Sequence, residues 1–140
     1  MLGVAAAHAD IVGITANLRA GEVGIDAIAD SMPEAYDVKV ERVREVAGER
    51  LESIELSSLT FNVTVTDDQE GTHALFAEMF DTTPEKVAQS PALLAGSPTQ
   101  IVETLREQRD RWGFNYVVVQ QDGSQGLEAF SDVIGALGGT

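Results

Sequence analysis

The sequence predicts an α/β fold with a parallel sheet. Residues 11–15 and 115–120 are short apolar runs of the kind that parallel strands bury, and residues 59–66 alternate apolar and polar side chains with many β-branched residues. Helical patterns separate these three runs. Strands that alternate with helices pair in parallel through right-handed crossovers. We therefore expect one α/β domain over residues 1–140.

The first half of the chain predicts two helices around the first strand. Residues 1–10 are rich in Ala and indicate the end of a helix, and the Gly-containing residues 17–24 after the first strand indicate a loop. A second helix is predicted over residues 32–47, where apolar side chains recur at helical spacing and a glycine follows as a stop. The residues of this stripe and its stop are Tyr36, Val40, Val43, Ala47 and Gly48.

Capping patterns define the helices of the second half. Asp67 with Glu70 forms a capping-box pattern that opens a helix through Phe80. Thr83 with Pro84 predicts a short helix to about residue 89. Residues 95–98 are predicted as a loop that caps a longer helix ending at Gly113, and the last helix is predicted over residues 127–137.

The composition excludes several classes of partner. The chain has 140 residues, with 9 Lys and Arg against 23 Asp and Glu, giving a formal charge of −14. Nucleic acids and anionic membrane surfaces attract basic proteins, so neither is expected as a partner. The absence of cysteine removes disulfides and thiolate chemistry. No apolar stretch is long enough to span a bilayer and no signal-peptide pattern opens the chain, so a cytoplasmic location is expected.

Motif searches identify no catalytic group and no metal site. His8 and His73, the two histidines, lack a second ligand at metal-binding spacing, and structural or exposed roles are favoured for both. The serines lack the G-x-S-x-G setting of a nucleophile elbow, and neither a dinucleotide fingerprint nor a Walker A lysine is present. The residues alone therefore identify no reaction.

The strand ends provide the best candidates for a binding site. In parallel α/β folds, ligands gather where the chain leaves the carboxyl ends of the strands. After the first predicted strand, Thr15, Asn17 and Arg19 offer a hydroxyl, an amide and a guanidinium that suits phosphate or carboxylate. An exposed loop arginine is the simpler interpretation of Arg19. Residues 66–68 and 120–122 are predicted to lie at the same mouth.

Collinear segments of the chain resemble one enzyme family. Residues 1–13 resemble its helix and following barrel strand, and residues 54–68 resemble the next strand with its acidic exit. Residues 43–51 resemble its "vReaAGdRf" segment, residues 90–105 its "sP-hxLxGtpeei-xxLr" segment, and residues 109–119 its "rerxGisYvvv" ending. Together they resemble the C-terminal part of the luciferase-like oxidoreductases, most closely the branch that uses coenzyme F420.

This resemblance implies a fold, a cofactor and a reaction. The family forms a TIM barrel, of which the three predicted strands would be the sixth, seventh and eighth. Its members bind F420, or alternatively FMN, and transfer a hydride between the deazaflavin and an organic substrate or activate oxygen on a flavin. Thr15 matches a residue that faces the substrate pocket. Leu18 stands where some relatives have a lysine for a phosphorylated substrate. This departure counts against a sugar-phosphate substrate, although Arg19 beside it could partly substitute.

The resemblance also implies an incomplete site. Relatives have a glycine-rich turn, roughly "GGGGrr", before the residues that match Met1 and Leu2, and five strands before that. Met1 therefore matches an internal methionine, and the isolated chain is expected to be inactive. Three strands leave two open edges, so a homodimer or association with the N-terminal half of a barrel is expected. The alternative is a non-catalytic barrel remnant or interaction module that self-associates through those edges.

Overall fold

The structure is a computed structural model that describes residues 1–17, 25–120 and 127–138. Its helices are α1 (Leu2–His8), α2 (Ile25–Ala29), α3 (Pro33–Ala47), α4 (Gln69–Met79), α5 (Pro84–Gln89), α6 (Pro98–Trp112) and α7 (Ser131–Leu137). Its strands are β1 (Ile11–Ile14), β2 (Glu55–Thr60), β3 (Asn62–Val65), β4 (Leu93–Gly96) and β5 (Phe114–Val119). Short 3₁₀ helices cover Gly48–Ser53 and Leu127–Phe130.

A three-stranded parallel sheet organises the chain, in the order β1-β2-β5. In its register Ile14 pairs with Ser58, and Ser58 pairs in turn with Val117. The prediction of a mixed α/β fold with a parallel sheet is thus confirmed. Helix α1 precedes β1, helices α2 and α3 lie between β1 and β2, and α4 to α6 lie between β3 and β5. None of the helices in the described ranges is long and apolar enough to cross a membrane.

The prediction of a single strand over residues 59–66 is wrong. The chain forms β2, breaks at Phe61 and continues as β3, which pairs in parallel with β4 in a separate two-stranded sheet. The break coincides with a long-range contact, because the N–H groups of Phe61 and Asn62 both donate to the carbonyl of Ala92, at 2.8 and 3.2 Å. Strand β4 replaces part of the loop predicted over residues 95–98.

Most predicted helices are confirmed, and their caps explain why. Thr83 accepts from the N–H of Lys86 ahead of Pro84, and Ser97 and Gln100 form a reciprocal capping box at the start of α6. Asp68 caps α4, where the sequence predicted Asp67. The sequence did not predict α2, and the last helix begins with a 3₁₀ turn before α7.

Among the described residues, the helices cover one face of the three-stranded sheet and leave the other face uncovered. Val12, Ile14, Leu56 and Phe114 point from that face into a core shared with α1, α3 and α6. Val117 and Val119 extend the same face toward α6 and α7. The opposite face, here called the bare face, carries exposed apolar side chains: Ile11 is 53% exposed, Tyr116 50% and Val118 41%.

Candidate functional site at the carboxyl end of the sheet

The carboxyl ends of the three parallel strands form one edge, here called the mouth. The backbone N–H of Gln120 donates to the carbonyl of Thr60 at 2.9 Å, so the exit of β5 lies beside the exit of β2. Ile14 ends β1 opposite Ser58, which places Thr15 next to the last residues of β2. The mouth therefore brings together residues after β1 and β5, as the sequence predicted for parallel strands.

Lys39 and Asp30 fix the exit of β1. The Lys39 ammonium donates to the Thr15 carbonyl at 2.9 Å, the Asp30 carbonyl at 3.0 Å and the Asp30 carboxylate at 2.6 Å. The same carboxylate oxygen, Oδ2, accepts from the backbone N–H of Asn17 at 2.6 Å. The Lys39 side chain is 15% exposed, and its three protons match these three acceptors. Lys39 is thus a positioning residue for residues 15–17, which directly follow β1.

Two of the three predicted site residues lie in the described structure, and both are exposed at the mouth. The Thr15 hydroxyl makes only a 3.5 Å contact to the neighbouring Ala16 carbonyl, so it is available to a ligand. Asn17 uses its backbone N–H on Asp30 and projects its carboxamide from an exposed position. Arg19, and Leu18 beside it, lie outside the described residues.

The wall of the mouth next to β2 is built from buried hydroxyl groups. Ser90 donates to the carbonyl of Ser31 at 2.7 Å, Ser31 donates to that of Ala27 at 2.6 Å, and Thr60 donates to that of Pro91 at 2.9 Å. Backbone carbonyls occupy all three donors. Thr60 holds the segment before β4 against the end of β2, Ser90 joins that segment to the turn after α2, and the Ser31 bond is local to α2.

Residues 66–68 do not reach the mouth, which corrects the prediction made for them. They follow β3, and the N–H of Thr66 donates to the carbonyl of Gly96 at 2.9 Å at the end of the two-stranded sheet. The Asp68 carboxylate accepts from the N–H of Gly71 at 2.9 Å and serves as a helix cap. Gln120 does lie at the mouth, whereas residues 121 and 122 lie outside the described residues.

Tyr36, which lies under the Lys39 ammonium, is a structural titratable group, and the two histidines lie on other elements. Burial raises the pKa of Tyr36, and the nearby Asp30 charge raises it further, so this phenol stays neutral. Burial lowers the pKa of His73, which lies on α4, and His8 is exposed at the end of α1. No group of three or more acidic or histidine side chains is placed to hold a metal ion within the ranges that the structure describes.

Sequence reasoning missed Lys39 and Asp30. A signal exists, because Lys39 lies next to Val40 on the flank of the apolar stripe of α3, a position where a cation needs a partner. The partner itself was not predictable, since it depends on how the turn before α3 packs against the exit of β1. The sequence pattern therefore places a cation on the flank of the buried stripe, but it does not show which groups accept from it.

The mouth offers a hydroxyl and a carboxamide to a polar ligand, while its lysine and aspartate are engaged with each other. Both exposed groups donate and accept hydrogen bonds, which suits orientation of a small polar substrate. Comparison of this chain with models of known protein families, with curated proteins and with solved structures finds no match.

Proposed function

We propose that this chain forms the last three strand–helix units of a luciferase-like (β/α)8 barrel that moves a hydride between coenzyme F420, alternatively FMN, and an organic substrate. One observation carries the proposal: helices cover one face of the parallel sheet and leave the other face apolar and exposed. Doubly wound sheets have helices on both faces, whereas barrel strands have helices only outside. The bare face corresponds to a barrel interior.

Strand order supports the same architecture. The neighbours β1, β2 and β5 follow one another in the sheet in chain order, all in parallel. A doubly wound sheet reverses its strand order at a switch point, and a barrel continues in one direction around its axis. The sheet contains no reversal among the described strands, and its outer strands β1 and β5 are where further barrel strands would pair.

In this proposal the mouth is the part of the active site that binds substrate. Thr15 and Asn17 orient the substrate through their exposed hydroxyl and carboxamide, Arg19 meets an anionic group, and Lys39 holds residues 15–17 in place. The cofactor, when bound, accepts or donates the hydride. The described residues fit this site only in part, since no free acid or base lies among the side chains described at the mouth. The remaining strands supply those groups, so the isolated chain is inactive.

The DNA sequence upstream of the first codon provides a test of the proposal. The DNA upstream of codon 1 is expected to encode, in frame, a glycine-rich turn and five further strand–helix units. Protein expressed from that frame is expected to quench F420 fluorescence at micromolar concentration, with an FMN titration as the second arm. In that protein Thr15→Val is expected to raise KM for substrate and leave F420 affinity unchanged.

Thr99→Val is the matched control, because Thr99 is exposed on α6. An upstream frame closed by a stop codon, with no barrel half encoded beside it, would contradict the proposal. Micromolar F420 binding by the 140-residue chain alone would contradict the inference that other strands complete the cofactor site.

A second candidate is an interaction module without catalytic activity. The exposed side chains of Ile11, Tyr116 and Val118 favour it, because large apolar groups concentrated on one sheet face mark an association surface. Among the described strands, the outer edges of β1 and β5 have no partner, and they offer backbone donors and acceptors to the same partner molecule. In this alternative the bare face pairs with a second copy of the chain.

A further inference from the structure

Three polar side chains are buried between the sheet and its helices without a hydrogen-bond partner. Tyr36 on α3, Ser58 on β2 and Gln108 on α6 are 0%, 1% and 4% exposed. Among the described residues, both hydroxyls and both polar atoms of the Gln108 amide make no hydrogen bond. An unpaired buried polar atom destabilises a fold, so nearly all such atoms in proteins bind another protein group or an ordered water. These side chains therefore indicate a ligand that the chain itself does not supply.

The ring of Tyr36 lies over β2, close to Ser58. Its centroid is 6.1 Å from that of Phe114, which pairs with Leu56 on β2. Leu56 and Ser58 are two residues apart on the strand, so their side chains point from the same face of the sheet. The Lys39 ammonium, 5.2 Å from the Tyr36 centroid, binds the exit of β1 on the other side of β2. The phenol ring thus extends over β2 from the side of β5 to the side of β1.

Gln108 approaches the same place from α6. It lies one turn before Trp112, and both side chains are on the buried side of this helix. The Trp112 ring contacts the rings of Tyr36 and Phe114, with centroids 5.8 and 5.7 Å apart. The chain reverses direction between α6 and β5, so residues before Trp112 lie over those that follow Phe114. Gln108 therefore lies over the middle of the sheet, where Ser58 is.

We propose that Tyr36, Ser58 and Gln108 enclose an internal water site between α3, β2 and α6. Each hydroxyl can donate and accept a hydrogen bond, and the amide has two N–H donors and a carbonyl acceptor. Water suits this mixed set because it also donates and accepts, and a buried water typically makes about three hydrogen bonds to groups that are otherwise unpaired. A cation would use only the acceptors and an anion only the donors. The site lies on the helix side of the sheet, so it depends neither on the proposed oxidoreductase activity nor on what covers the bare face.

A high-resolution crystal structure of the chain tests the water site directly. Density for an ordered water is expected within hydrogen-bond distance of at least two of the three side chains. Oxygen-17 magnetic relaxation dispersion, which detects waters that stay bound longer than the protein takes to tumble, is expected to show a long-lived water in solution. A direct hydrogen bond among the three side chains with no water between them, or a dispersion profile without a long-lived water, would overturn the proposal.

Conservative variants assign the long-lived water to these side chains. Tyr36→Phe and Gln108→Met remove the polar atoms with little change of volume, and the double variant is expected to lose the relaxation amplitude of the site. Tyr116→Phe with Gln89→Met is the matched control, because both residues are exposed, and it is expected to keep the amplitude of the parent. Ser58→Ala, the smallest change, is expected to reduce the amplitude even if the double variant does not fold. Full amplitude in the folded double variant or in Ser58→Ala, or an equal loss in the control, would overturn the proposal.

Discussion

A single carboxylate, Asp37, joins α3 to the end of α6. It accepts from Arg111 in a two-pronged pair at 3.1 and 2.7 Å and from the indole N–H of Trp112 at 2.7 Å. The Arg111 guanidinium also lies over the Trp112 ring, 4.6 Å from its centroid. Hydrogen bonding from Arg111 holds the pKa of Asp37 below its usual value, with Trp112 acting in the same direction.

Asp37→Asn is expected to lower the free energy of unfolding at pH 7 by about 1 kcal/mol, a modest loss because the pair is partly exposed. A carboxyl with a lowered folded pKa stabilises the protein above its unfolded pKa, near 3.8. The contribution is lost as pH falls through the folded value. The difference between variant and parent is therefore expected to shrink toward pH 3, as measured by urea unfolding followed by circular dichroism.

Asp110→Asn is the matched control, because Asp110 is exposed on α6. Its effect is expected to stay within about 0.5 kcal/mol at both pH values. A destabilisation of Asp37→Asn that is equally large at pH 3 and pH 7 would assign the effect to packing and contradict the role of the charge.

At the scale of elements, α6 is the helix that local sequence defines most completely. The Ser97 hydroxyl accepts from the N–H of Gln100 at 3.4 Å, and the Gln100 side chain accepts from the N–H of Ser97 at 2.9 Å. Pro98 occupies the first turn, and Gly113 ends the helix with a φ of 83°, a left-handed conformation that favours glycine. Each of these signals lies within four residues of the boundary that it sets.

Ser97→Ala is expected to lower the free energy of unfolding by about 1 kcal/mol, because the first turn of α6 loses a side-chain acceptor. Ser97→Asp retains an acceptor and places a negative charge at the helix N-terminus, so it is expected to stay within a few tenths of a kcal/mol of the parent. Thermal or urea unfolding of the three proteins provides the comparison. Equal losses for Ala and Asp would show that the hydroxyl contact does not act as a cap.

The elements that sequence reasoning missed depend on partners far along the chain. Residues 59–66 have strand character throughout, and their alternation carries no information about the change of partner at Phe61. Strand β4 has four buried residues and too few positions for a periodic signal. The site shows the same division. The strand pattern alone placed Thr15 and Asn17 at the mouth, whereas the contact between Lys39 and Asp30 that fixes them is visible only in the folded structure. Local sequence signals therefore predict helix caps and the type of each element. Which strands pair, and which side chains meet at the mouth, depends on contacts between distant parts of the chain.

At the scale of the whole molecule, two opposing forces act on association. The bare face, marked by Ile11, Tyr116 and Val118, exposes apolar surface that association would bury. A formal charge of −14 makes two copies repel each other, and salt screens that repulsion over a distance of about 8 Å at physiological ionic strength. Both the barrel proposal and the interaction module require that a partner cover the bare face, and salt is expected to control how readily a second copy does so.

The isolated chain is therefore expected to dimerise more strongly as salt rises. Size-exclusion chromatography with light scattering is expected to show a mass near twice 14.9 kDa at about 0.5 M NaCl, and a larger monomer fraction at low salt. Val118→Glu places a charge on the bare face and is expected to yield monomer at both salt concentrations, because association would bury an unpaired carboxylate.

Val38→Glu adds the same charge on α3, on the side of the sheet that helices cover, where Val38 is 70% exposed. This control is expected to dimerise like the parent at high salt, since its added carboxylate stays in water. A parent chain that remains monomeric at every salt concentration would contradict association through the bare face. Equal loss of dimer in the two variants would instead trace the effect to net charge, because the only difference between them is which side of the sheet carries the new carboxylate.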